Sequence, residues 1–173
     1  MIRPIVQLGA PVLKALARSL ERLDLAEEWG QTLVRDMFAT LEDAGGVGLA
    51  APQVGVSVRV ILAGSFPTPR ALDRPLVPPS ALINPQVVWA SAATEPAWEG
   101  CLSFLQYRVR VVRPRAVRVE YLTPVGTETH IEASGFYARV LQHEIDHLDG
   151  ILTLDRAASP EDVQPADAPA TDP

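Results

Sequence analysis

The chain holds three histidines, and two of them, His143 and His147, fall in the run Gln142-His143-Glu144-Ile145-Asp146-His147-Leu148-Asp149-Gly150. On a helix, residues four apart share one face, so both imidazoles can point at one metal ion. Glu144 stands next to the first histidine, within reach of a metal-bound water as a general base. The chemistry this spacing supports is hydrolysis by a metal-activated water. The same pattern also occurs as a plain polar helix face. Here it follows the apolar-rich Phe136-Tyr137-Ala138-Arg139-Val140-Leu141, with Gly135 before that run and Gly150 after the motif.

Two histidines leave a catalytic site incomplete, because such sites usually have three protein ligands and one open position. No histidine follows His147, and the downstream acids lie in or near the tail. The remaining candidate is upstream: Cys101, the only cysteine, in Glu99-Gly100-Cys101-Leu102-Ser103. A lone cysteine is commonly a small buried apolar residue. Beside Gly100, and in a chain short of a third ligand, it is read as a thiolate ligand. A Gly-rich stretch, Gly45-Gly46-Val47-Gly48-Leu49-Ala50-Ala51-Pro52-Gln53-Val54-Gly55, suits backbone that lies close against a ligand, or a plain turn. It lacks the Lys-Ser/Thr ending of a phosphate loop.

The elements that must position these groups read as follows. Pro11 to about Ser19 is expected as a short helix. Asp24 is expected to N-cap a longer one through Trp29, Leu33, Met37 and Leu41. Val56–Leu62 and Leu82–Trp89 read as strands, separated by a Pro-rich loop from Pro67 to Pro79. Val109–Val112, Ala116–Leu122 and Glu128–Glu132 are β-rich, with Thr123 to Gly126 as a hairpin turn. The histidine helix follows, then a short strand at Ile151–Leu154. Strands flanked by separate helices indicate an α+β fold.

In order and spacing, Gly46 to Gln53, Glu99 to Ser103 and Gln142 to Gly150 resemble the three motifs of the peptide deformylase family. Pro4 to Leu13 resembles the family's entry segment, and the likeness runs to about Asp155. The resemblance implies antiparallel β-sheets packed around a central metal-binding helix. It also implies hydrolysis of the formyl group from N-terminal formyl-methionine, with release of formate. Carried over by position, Cys101, His143 and His147 are the ligands and Glu144 the acid/base. Gln53 and the Leu102 N–H stabilise the oxyanion. Gly46 and Gly48 lie at the substrate backbone, with Glu99 and Gly100 bordering it. Val47, Phe136 and Val140 line the methionine pocket. The implied metal is Fe²⁺ in the cell, with Zn²⁺, Ni²⁺ or Co²⁺ as replacements in purified protein. The implied partners are N-formyl-methionyl nascent peptides and, transiently, the ribosome. Many bacterial members dock there through a C-terminal helix, which the Pro-rich tail does not resemble.

The sequence departs from the family pattern beside Cys101. Phe104-Leu105-Gln106 replaces an apolar residue, proline and often glycine, and Val112 stands where the family's Val-Pro-Arg has proline. Losing two prolines frees backbone angles and adds two N–H groups. Two alternatives therefore stand beside the deformylase reading. One is a paralogue acting on another N-formyl or N-acyl compound. The other is a non-catalytic metal or peptide binder, for which Glu144 and Gln53 have no use.

At 173 residues with 47% hydrophobic residues, the chain is expected to form one catalytic domain, residues 1–158. The segment 159–173 has four prolines and no Lys or Arg, and carries Glu161, Asp162, Asp167 and Asp172 of a formal charge of −6. It reads as disordered and dispensable for folding. The run Arg108, Arg110, Arg113, Arg115, Arg118 reads as a solvated strand face, and no aromatic interleaving supports a nucleic-acid site. No long uncharged apolar run suggests a membrane span. The stretch before Ala15-Leu16-Ala17 is broken by Pro4, Gln7, Pro11 and Lys14, which makes it a poor signal peptide. A cytoplasmic monomer is the expectation, and one free cysteine suits a reducing compartment.

Overall fold

In the computed structural model, which describes residues 1–65, 67, 72 and 74–168, the apolar runs become two antiparallel sheets around one helix. The first sheet has the order β1-β2-β3-β6-β7, formed by Gly48–Ala50, Val60–Ser65, Val77–Ala90, Ala116–Leu122 and Glu128–Ser134. The second joins β4 (Thr94–Glu99), β5 (Tyr107–Pro114) and β8 (Val163–Pro165), with β5 in the middle. The helices are α1 (Arg22–Ala26), α2 (Glu28–Ala44) and α3 (Gly135–Leu148). No helix among the described residues is long and apolar enough to cross a membrane.

Strand β2 has no exposed residue because both faces of its sheet are covered. Ile61 and Ala63 pack with Ala138, Leu141, Ile145 and Leu148 of α3. Val60 and Leu62 pack with Leu33, Met37 and Leu41, one stripe of α2. The helix that carries both histidines thus lies on one face of the sheet, in contact with β1, β2 and β5. Gly150 fixes its end. Its φ is +70°, and a Cβ there would lie 2.6 Å from the Lys14 carbonyl oxygen, so only glycine lets the N-terminal segment close over the helix.

Several expectations change. The Pro11–Ser19 helix is only a 3₁₀ turn, Pro11–Lys14. Asp24 does not cap α2. Its carboxylate reaches back to the Glu21 N–H (2.8 Å) inside the short α1, and α2 begins after Glu27. Strand β3 starts at Val77, inside the expected loop. Pro78 and Pro79 sit near the end of the ladder, where the register with β2 shifts between Ala63 and Ser65, and Pro85 falls in the register shift with β6 between Ile83 and Gln86, so their missing N–H groups break little pairing. Residues 68–71 and 73 of that loop lie outside the described residues. The expected strand at Ile151–Leu154 is instead a 3₁₀ turn, Thr153–Arg156, because the Asp155 carboxylate accepts the Leu152 N–H at 2.7 Å. Strand β4 was not expected: it is an edge, where Pro96 is tolerated.

The tail is the largest correction. Val163–Pro165 pairs with Tyr107–Val109, and Val163 packs on the cluster of Cys101, Phe104, Val109 and Val111. Backbone pairing, which composition does not reveal, orders the segment through Ala168. Residues 169–173 lie outside the described residues. The arginine run is corrected too. Along β5, Val109, Val111 and Arg113 share the inward parity, and Arg113 is buried with them.

Candidate metal centre and active-site cavity

Cys101, His143 and His147 each present a ligand atom, and the three atoms lie within 4.8 Å of one another. α3 supplies the histidines from one face, with ring centroids 5.1 Å apart. The turn after β4 supplies Cys101, whose Sγ is 3.3 Å from His147 Nε2. The Ser103 N–H points back at this sulfur at 3.5 Å. A soft sulfur with two imidazoles is a donor set for a divalent transition ion, and three ligands leave one position open.

The surroundings fit such an ion. His143 Nδ1 is 2.9 Å from Glu99 Oε2, which leaves Nε2 to face the site. Burial alone would lower the His143 pKa, but hydrogen bonds with Cys101 and Glu99 and the charge of Glu144 raise it well above the ordinary range. His147 goes the other way. Burial first, then the charges of His143 and Arg113, keep it neutral, as a ligand must be.

Behind the ligands lies a buried ionic network. Arg113 donates to both oxygens of Glu99 (2.7 and 3.0 Å) and to Asp146 Oδ2 (2.8 Å). Arg139 donates to Glu99 Oε1 (2.7 Å) and to the Val111 carbonyl (2.9 Å). Arg156 completes the pairing of Asp146. Burial would raise the Glu99 carboxyl, but the hydrogen bonds with His143 and Arg113 outweigh it and hold it well below the usual carboxylate range. Arg113 and Asp146 were not among the expected site residues. The parity of β5 and the position of Asp146 between the two histidines were the available signals.

Glu144 is 5% exposed, and its Oε2 has no hydrogen-bond partner among the described residues. Burial first, then the charge of Glu99, pushes its pKa up to about 7, against the opposing charge of His143. A carboxylate so placed exchanges protons near neutral pH. Gln53 is held by three contacts. Its Oε1 accepts the Ala50 N–H (2.8 Å), and its Nε2 donates to Ser103 Oγ (3.2 Å) and toward Cys101 Sγ (3.6 Å). The amide nitrogen therefore faces the metal side. The N-terminal segment ties both loops together, with Val6 N–H on the Gln53 carbonyl and Leu8 N–H on that of Ser103, both at 2.8 Å.

These groups open into one cavity of about 360 Å³. Gly46, Val47, Gly48, Gln53, Glu99, Gly100, Cys101, Leu102, Phe136, Val140, His143 and Glu144 all line it, so the expected residues converge. His147 lies behind this wall, 1% exposed. Arg74, Trp98, Leu105 and Arg139 also line the cavity and were not expected. Arg74 lies over the Phe136 ring, 3.6 Å from its centroid.

A buried Cys-His-His triangle on an α+β frame, with an adjacent carboxylate of raised pKa, is the build of a metal-dependent hydrolase. The polypeptide deformylase family model matches residues 2–163. A peptide deformylase 2 from Nostoc sp. is 42% identical over 156 residues, covering 90% of this chain and 86% of that protein. One from Bordetella bronchiseptica is 43% identical, covering 88% and 85%. The class I type b peptide deformylase from Acinetobacter baumannii in its Met-Ala-Ser-bound crystal structure superposes with a TM-score of 0.86 at 38% identity, covering 90% of this chain and 98% of that one. Its actinonin-bound structure gives 0.82 at 36%, covering 91% and 99%. The chain belongs to the polypeptide deformylase family. Its reaction is the metal-dependent hydrolysis of the N-formyl group, releasing formate.

Proposed function

We propose the following division of labour for the deformylation of N-formyl-methionyl nascent peptides. The observation that supports it is the convergence of Cys101, His143, His147, Glu144 and Gln53 on one cavity beside the Gly46–Gly48 backbone. Cys101, His143 and His147 hold a divalent ion, Fe²⁺ in the cell, with Zn²⁺, Ni²⁺ or Co²⁺ able to take its place. Such an ion supplies Lewis acidity and lowers the pKa of water. Glu144 takes the proton of the attacking water and delivers it to the departing amine nitrogen. Its desolvated carboxyl, near pKa 7, suits both transfers. Gln53 Nε2 and the Leu102 N–H donate to the formyl oxygen as charge develops there, each worth about 3 kcal/mol in known hydrolases.

Val47, Phe136 and Val140 form an apolar seat for an unbranched methionine side chain. Among the described residues strand β1 pairs with β2 alone, so Gly46–Gly48 offers an edge to an extended peptide. Glu99 and Gly100 border the same path. The catalytic domain works as a cytoplasmic monomer, and any contact with the ribosome is transient. The deciding experiment is formate release by anaerobically prepared iron- or nickel-loaded protein from formyl-Met-Ala-Ser and acetyl-Met-Ala-Ser. Release from the formyl peptide alone supports the reading. Equal rates on both, or none with metal bound, overturn it.

A further inference from the structure

Three sides enclose the cavity. α3 gives Phe136, Val140 and Glu144, and the β1 segment gives Gly46 to Gly48. The third side is Trp98 at the end of β4 and Leu105 in the loop that follows Cys101. Leu105 is 63% exposed, so no core packing fixes it, and its loop lacks the family's prolines. Both residues are instead tied to the C-terminal segment. The Ala166 N–H donates to the Gln106 carbonyl at 2.9 Å, next to Leu105. Arg108 Nη2 donates to the Ala168 carbonyl at 2.6 Å. With the Gln164 amide turned so that both of its ends are satisfied, its oxygen accepts from Arg108 Nε and Nη2 at 2.7 and 2.9 Å. The same guanidinium lies 5.6 Å from the centroid of the Trp98 ring. The family match ends at residue 163, the first residue of this pairing, so residues 164–168 of the strap lie outside the matched part.

We propose that the strap Val163–Ala168 is a positioning element for substrate recognition: through Gln106 and Arg108 it fixes Leu105 and Trp98, the side of the cavity that meets the residues after formyl-methionine. This rests on the reading of a peptide laid along the Gly46–Gly48 edge. A wall ordered beforehand spares the peptide the cost of ordering those side chains when it binds. Arg108 and Ala166 are positioning residues, since neither lines the cavity. Their effect belongs to affinity, and the metal and Glu144 are untouched by it.

The test uses Ala166→Pro, which removes one N–H at an exposed position, and Arg108→Gln, which removes the cation over Trp98. Both are prepared as full-length nickel-loaded protein beside wild type. Calorimetric affinity for the product peptide Met-Ala-Ser is measured together with kcat and KM for formyl-Met-Ala-Ser and metal content per chain. Both variants should weaken Met-Ala-Ser binding and raise KM by about five-fold, with kcat within two-fold and one nickel retained. Unchanged affinity and KM would overturn the proposal, and so would a joint fall of kcat and metal content, which would make the strap a support of the Cys101 loop. Wild type that binds Met-Ala-Ser but releases no formate sinks the deformylase reading alone, while the strap is still judged on binding.

Discussion

Gly48 lies directly against the Glu144 carboxylate: a Cβ built at position 48 would stand 2.4 Å from Oε1 and 2.8 Å from Cδ. The backbone of β1 thus sets the position of the general base. Gly48→Ala should displace Glu144 and lower kcat by about 10²-fold, because ångström misplacements of catalytic groups cost that much. Metal content should stay near one per chain, read by atomic absorption. Retained turnover would mean that Glu144 has room the geometry does not show.

Glu144→Gln keeps the volume and removes the base. Turnover should drop by about 10²- to 10⁴-fold with metal retained. Loss of metal would assign Glu144 a part in holding the ion.

Cys101 is the one sulfur donor among the three clustered ligands. X-ray absorption of the zinc-loaded protein should show a single sulfur near about 2.3 Å, absent in Cys101→Ser. A chelator should abolish formate release and lower the melting temperature, because ion binding stabilises the fold that holds the ligands. A first shell of nitrogen and oxygen alone in wild type would remove Cys101 from the ligand set.

Acid should weaken the fold through Glu99. Its carboxyl is held below the ordinary value of 4.5 in the folded protein. Its ionised form therefore stabilises the fold above that pH, and the contribution disappears as pH falls toward the folded-state pKa. Glu99→Gln should cost about 3–5 kcal/mol at neutral pH, since it leaves Arg139 without its buried carboxylate and Arg113 with Asp146 alone. It should also flatten the acid slope of stability, followed by urea unfolding of chelator-treated protein between about pH 3 and 7. An unchanged slope would place the acid sensitivity in other carboxylates.

Removing Val163 and all that follows should destabilise the protein by roughly 2 kcal/mol, or about 4–8 °C in melting temperature. It uncovers the cluster of Phe104, Val109 and Val111 and unpairs one edge of β5. An unchanged melting temperature would mean the strap contributes no stability.

The parts of the site that were legible are those whose spacing is local. His143, Glu144 and His147 follow from one helical repeat, and Gly135 and Gly150 bound that helix. Cys101 is 42 residues away from His143 and gives no local signal. It came from the shortage of ligands and from three ordered motifs. Arg113 was hidden in an arginine run, although its parity with Val109 and Val111 pointed inward. Trp98, Leu105 and the strap are joined by strand pairing and by the Arg108 side chain across sequence separations of tens of residues, which neither composition nor periodicity reports.

The unpaired edge of β1 has a consequence for what can reach it. Gly48, Leu49 and Ala50 are buried and Gly48 lines the cavity, so this edge lies away from the outer surface. A sheet of another folded protein is too broad to enter and pair with it, which removes the usual hazard of an open edge. A single extended strand can enter. With the peptide laid along this edge as proposed, the recess would act as a sieve for conformation: it would admit chain ends that have not yet folded and turn away an N-terminus already built into a domain. The window for deformylation would then close when a protein's first residues fold.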